Sequence, residues 1–273
     1  MRLLPIALIF CLFNVRAQDS LNNWTLLKEY ALEKDAIWNT DILENVYVVH
    51  NRMITKYDSA GVKKFSQSIK SIGQVKEIMP INTMKLVLFS EDQQVLCLLD
   101  NTLTMSENLI DLSEYGIVSA SLATTSSQSD KIWILDQLNS RLLLLDLSGK
   151  IQFQEVRNLK GILDIKEINS MFETDNHLFL FGSGKVYEFD MYGTLLNDME
   201  LGNVIVDTVH CIPEGKRVYC ALKDELIGQD LDGANKKGIK MPVNQVFEFK
   251  KVSDIYYFRT ADKILKYAFK NNR

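Results

Sequence analysis

Lys131-Ile132-Trp133-Ile134-Leu135 leads through Asp136-Gln137-Leu138-Asn139-Ser140 into Arg141-Leu142-Leu143-Leu144-Leu145, and then into Asp146-Leu147-Ser148-Gly149. Two short apolar runs separated by a polar loop read as paired strands, and Asp-x-x-Gly supplies the turn after the second. The first run is apolar at consecutive positions, which a strand needs only when both its faces are covered. The unit recurs along the chain. Residues 46–49 and 53–57 precede Asp58-Ser59-Ala60-Gly61, residues 177–181 and 185–189 precede Asp190-Met191-Tyr192-Gly193, and residues 217–222 and 225–229 precede Asp230-Leu231-Asp232-Gly233. Degenerate copies occupy 84–89 with 95–99, ending at Asp100 without the glycine, and 254–258 with 263–267, where Ala268 replaces the aspartate.

The repeated aspartates stand 40 to 46 residues apart, a period that fits the few-stranded blades of a propeller. Six copies predict an all-β, six-bladed β-propeller. Each has an inner strand upstream, at 36–41, 75–81, 117–123, 163–171, 205–212 and 246–250. The sixth copy has no room for a fourth strand before Arg273, whereas residues 24–32 are strand-like and have no blade of their own. They are expected to pair with 263–269 as the outer strand that closes the ring and covers its open edge.

The element Ile132-Trp133-Ile134-Leu135-Asp136-x-x-Asn139-x-Arg141, with Leu142, Asp146 and Gly149 behind it, resembles the NHL repeat of six-bladed propellers. Asn51-Arg52 and Asp58-x-x-Gly61 keep a reduced form, and the other blades share only the general pattern. The resemblance implies the fold over roughly residues 21–273 and a structural role for Asp136, Asn139 and Arg141 in tying a turn. It implies no chemistry. The tryptophan-bearing repeats of quinoprotein propellers do not occur, and no cofactor is implied.

Residues 1–17 read as a secretory leader: Arg2, the apolar run 3–13, and Ala17 at the cleavage point. Its apolar run is shorter than the ~20 residues needed to span a bilayer. The expected mature chain, 18–273, is a single domain without a membrane anchor, exported to the periplasm or beyond. Its 29 basic and 35 acidic residues give a net charge of −6, with neither the basic footprint of a nucleic-acid binder nor a polybasic lipid-binding run. Three cysteines remain. Cys97 reads as a buried small hydrophobe. Cys211 and Cys220 lie opposite one another if Gly215-Lys216 form the hairpin turn, which permits a disulfide. The alternative turn, Glu214-Gly215, sets Cys211 against Val218 and forbids it.

No nucleophile elbow, phosphate loop or dinucleotide fingerprint occurs. His50, His177 and His210 have no zinc spacing. Glu77, Glu167, Asp207 and Glu248 fall on or beside inner strands, so a metal-dependent hydrolase or lactonase using the central channel is one expectation, with oxygen ligands suited to calcium. The leading one is a non-catalytic scaffold that binds a protein partner of the cell envelope. Recognition is expected on the face built from the loops between second and third strands and from the connections between blades, because those loops vary while the opposite face repeats Asp-x-x-Gly turns. Its candidate anchors are Tyr115, Arg157 and Arg259, together with His50 and Asn51.

Overall fold

The computed structural model describes residues 23–105, 109–147, 152–156, 159–201, 211–222 and 224–270. Arg157, Asp207, His210 and the leader lie outside the described residues. The chain is a six-bladed β-propeller: twenty-four strands among the described residues form six antiparallel four-stranded sheets.

Strand β1 (Trp24–Ala31) precedes the first blade, which is β2 (Ile37–Thr40), β3 (Val46–His50), β4 (Met53–Tyr57) and β5 (Lys63–Ser68). The second is β6 (Glu77–Pro80), β7 (Lys85–Ser90), β8 (Val95–Asp100) and β9 (Ile110–Asp111). The third is β10 (Ala120–Thr125), β11 (Lys131–Asp136), β12 (Arg141–Asp146) and β13 (Gln152–Val156). The fourth is β14 (Ile168–Thr174), β15 (His177–Gly182), β16 (Lys185–Asp190) and β17 (Leu195–Glu200). The fifth is β18 (Cys211–Glu214), β19 (Arg217–Leu222), β20 (Glu225–Asp230) and β21 (Lys236–Lys240). The sixth contains β22 (Glu248–Val252), β23 (Ile255–Arg259) and β24 (Lys263–Phe269), and β1 completes it by pairing along β24. Closure by the N-terminal strand is therefore as the missing last strand implied.

Six apolar clusters fill the spaces between neighbouring blades. Val87, Phe89 and Leu98 of the second blade, for instance, meet Ala123, Ile134 and Leu143 of the third. Trp133, Leu135, Leu142 and Leu144 turn the other way, against Met171, Leu178 and Leu180 of the fourth. That division explains the consecutive apolar residues of β11: alternate side chains serve two different cores. At the closure, Trp24 donates Nε1–H to the Lys240 carbonyl at 2.9 Å and packs its ring on Tyr256 and Phe269, with centroids at 5.0 and 4.4 Å.

A second device crosses the closure. Lys266, 3% exposed, donates to the Ser59 carbonyl at 2.8 Å, pairs with Glu44 at 2.7 Å and lies 5.8 Å from the Tyr257 ring centroid. Lys56 repeats the arrangement one blade on, over Tyr47 and into the Asn101 carbonyl at 3.0 Å. Each lysine thus clamps a turn of the following blade.

The turns define two faces. On the turn face lie the links between first and second strands and between third and fourth. Asp58, Asp100 and Asp190 each accept two backbone N–H bonds there through one carboxylate oxygen. Gly61 and Gly193 take the positive φ the turn demands, 77° and 83°, and Leu103 takes it at 68° where the glycine is missing. The connection face carries the links between second and third strands and those between blades. In the fifth blade Glu214 pairs with Arg217 around Gly215-Lys216, and Cys211 is opposite Cys220. Gly215 alone has positive φ, 56°, as a type II′ turn requires. The two cysteines form a disulfide with Cα atoms 4.2 Å apart. Cys97 is free and buried, and burial pushes its thiol pKa up to about 11.

Candidate functional site

On the connection face of the third blade the loop after β11 is held from three sides. Asp136, fully buried, accepts from Arg141 Nε and Asn139 Nδ2, both at 2.8 Å. Arg141 also pairs with Glu155 at 2.7 Å and donates to the Gly116 carbonyl at 2.6 Å, reaching the connection that enters this blade. Gln137 N–H donates to the Ser119 carbonyl at 2.9 Å, and Leu159 N–H to that of Ser140 at 3.4 Å, which ties in the connection that leaves it. The Asp-x-x-Asn-x-Arg element is a structural knot, the role its resemblance implied.

What the knot presents is apolar. Leu138, at the loop tip, is 64% exposed, Val118 on the entering connection 53%, and Ile162 on the leaving connection 41%. Aliphatic side chains on a loop braced by buried charge-assisted bonds are ready to bind without further ordering cost. Glu114, Lys160 and Asp164 are exposed on the same connections and supply polar residues at the rim. None of the three aliphatics is an expected site residue. Leu138 was readable, as a bare leucine between Asp136 and Asn139, whereas the exposure of Val118 and Ile162 depends on how the two connections pack.

The expected anchors are dispersed. Tyr115 lies on the entering connection but is partly buried against the core between the second and third blades. His50 closes the β3–β4 hairpin opposite Met53, with Asn51 and Arg52 in the turn at φ 48° and 59°. Asn51 is exposed and His50 half-buried. Arg259, in the sixth blade, donates to the Lys34 carbonyl at 2.8 Å and sits 3.6 Å from Glu248, so its guanidinium is engaged within the chain.

Of the carboxylates considered for a metal, Glu77 and Glu248 come near one another at the channel. Glu248 accepts from Trp38 Nε1 at 2.7 Å and pairs with Lys250 at 3.2 Å. Burial pushes the Glu77 pKa up to about 7, with Glu248 adding to the rise and Lys250 opposing it. Glu167 is exposed and accepts from Ser183 Oγ at 3.0 Å. Among the described residues, no three His, Cys, Asp or Glu side chains gather where they could hold a metal. The cluster at Glu77 is a mixed-charge lining.

No protein-family model matches the chain, nor does any curated protein sequence. Solved structures do. BamB from Moraxella catarrhalis superposes with a TM-score of 0.56 at 11% identity, over 92% of this chain and 99% of that one. A streptogramin B lyase gives 0.63 at 10% identity over the same shares, 92% and 99%. The Neurospora crassa Pan2 WD40 domain gives 0.57 at 11%, over 91% and 76%. These are propellers. At such identities the likeness concerns the fold alone, and function must be argued from the site.

Proposed function

We propose that this protein is an exported, non-catalytic propeller that binds a protein partner of the cell envelope through the connection face of its third blade. The observation that carries the reading is the exposed set Val118, Leu138 and Ile162 on loops braced by Asp136 and Arg141. Exposed apolar groups rimmed by polar ones mark interaction surfaces, and bracing removes the entropy that a loose loop would lose on binding. Export is supported by the leader pattern of residues 1–17 and by the Cys211–Cys220 disulfide, since such bonds persist in oxidising compartments. No helix among the described residues is long and apolar enough to cross a membrane.

The test is affinity purification of the tagged protein from its native envelope, comparing wild type with Leu138→Asp and Val118→Asp. Partners should be retained by wild type and lost from both variants, while near-UV circular dichroism stays the same. Unchanged recovery with both variants refutes this surface.

A further inference from the structure

The turn face carries its own exposed apolar set, and it is confined to the first two blades with one exception. Ile42 is 75% exposed, Leu43 53%, Val62 55% and Met84 58%. In the other blades the corresponding links between first and second strands are polar: residues 126–130, Asp175-Asn176, Gly215-Lys216 and Ser253-Asp254. On this face beyond the second blade, Tyr192 is the one large apolar side chain exposed among the described residues.

Rigid turns hold the set. Asp41, 5% exposed, accepts from the N–H groups of Leu43 and Asn45 at 2.9 Å through one oxygen. Its other oxygen accepts from Asn45 Nδ2 at 2.7 Å and the Tyr47 hydroxyl at 2.9 Å. Asn82 Oδ1 likewise holds Met84 N–H at 2.8 Å and Lys85 N–H at 2.9 Å. The turns bearing Leu43 and Val62 are joined through Lys266, which binds both Glu44 and Ser59. The turns bearing Val62 and Met84 are joined through Lys56, bound to Asn101, whose side-chain amide reaches Met84 Sδ at 3.4 Å. One network therefore runs under all four side chains.

Charge identifies the occupant. The carboxylates of these turns are used internally: Asp41, Asp58 and Asp100 by turn N–H groups, Glu44 by Lys266, and Asp130 by Lys85. Among the cations, Lys56, Lys85 and Lys266 are engaged in the same way. Lys63 and Lys64 follow Val62 directly and are exposed, with Lys64 3.9 Å from Asp58. The face thus offers aliphatic side chains beside the exposed ammonium groups of Lys63 and Lys64, although the chain as a whole is acidic.

We infer that the turn face of the first two blades is a second docking surface, which takes an acidic, leucine-rich segment of a protein partner. It stands on the side opposite Leu138, so the propeller can hold two polypeptides at once. The two surfaces rest on separate residues, and either can fail without the other.

The probes are three labelled synthetic peptides, one alternating leucine with glutamate, one leucine with lysine and one serine with glutamate, read by fluorescence anisotropy. Wild type should bind the leucine–glutamate peptide in preference to the other two. The double variant Ile42→Asp/Leu43→Asp should weaken that binding about tenfold or more, as loss of a central apolar anchor does. Lys63→Glu/Lys64→Glu should weaken it and remove its salt dependence. Leu138→Asp and Tyr192→Asp should leave it unchanged. Thermal unfolding of each variant separates loss of the surface from loss of the fold, and Leu43→Ser gives a milder second reading of the same site. No binding of the leucine–glutamate peptide, equal binding of the leucine–lysine peptide, or loss on Leu138→Asp overturns the inference. Vesicles of phosphatidylcholine and phosphatidylglycerol are tested alongside. Binding to them that depends on Ile42 and Leu43 also overturns it, because the occupant is then a lipid surface.

Discussion

Reducing the Cys211–Cys220 disulfide, or replacing both cysteines with serine, should destabilise the propeller by an amount fixed mainly by the loop it closes. The cysteines are nine residues apart. The chain-entropy relation for a loop of that length gives about 2.6 kcal/mol at room temperature. For a domain of some 250 residues, with an unfolding entropy of about 2.1 cal/mol/K per residue, that is a fall in Tm of about 5 °C. The type II′ turn at Gly215 already favours the register that sets Cys211 against Cys220, so residual hairpin in the unfolded chain would lower the figure. The assay is urea and thermal unfolding of the protein from residue 18 onward, oxidised and reduced, beside the double serine variant. Alkylation under denaturing conditions should label one thiol, that of Cys97, before reduction and three after it. Three labelled thiols before reduction, or a double variant as stable as the oxidised protein, would refute the reasoning.

Three further outcomes follow from buried charges. Lys266→Met should cost about 2 kcal/mol, because it removes two charge-assisted hydrogen bonds across the ring closure while Glu44 can turn to solvent; denaturant titration measures it. Asp136→Ala should cost more, about 3 kcal/mol, since Arg141 is left with a buried partner missing, and the same titration ranks the two. Glu77 holds its proton more tightly folded, at about pH 7, than a free glutamate does. The folded state therefore binds the extra proton between the two pKa values, and stability should fall as pH rises from about 4.5 through 7. Glu77→Gln should flatten that decline and be the more stable form at pH 8, by up to about 3 kcal/mol. A wild-type stability that rises over this range contradicts it.

The fold was legible because its physics is local and repeated. Consecutive apolar residues in β11 and β15 signalled strands covered on both faces, and Asp-x-x-Gly marked the outer turns of the first and fourth blades through a carboxylate that caps backbone N–H groups. The strand at 24–31 was legible by subtraction, since the sixth blade lacked one. The inner strands were read less sharply. β2 (Ile37–Thr40) is two residues shorter than the expected 36–41 and β22 (Glu248–Val252) lies two residues beyond the expected 246–250, because channel-side positions accept polar residues such as Asn39 and Glu248 and give no alternation to count. The surfaces were the least legible. Arginine at 259 looked like an anchor by residue type, yet folding brings it to Lys34 and Glu248, far apart in sequence from each other. Ile42 and Leu43 lie just past the expected inner strand 36–41, and nothing local in their sequence tells that the Asp41 carboxylate wraps the backbone into a turn and leaves both outside.

The most direct test of the central claim is photo-crosslinking in the native envelope, with a benzophenone amino acid placed in turn at Leu138 and at Leu196. Leu138 tops the braced loop of the third blade, and Leu196 is comparably exposed on the outer strand of the fourth, at the end away from the connection face. A discrete crosslinked protein is expected from position 138, reduced by Val118→Asp, and none from position 196. Equal crosslinking from both positions, or none from 138 while the folded protein is present in the envelope, would contradict it.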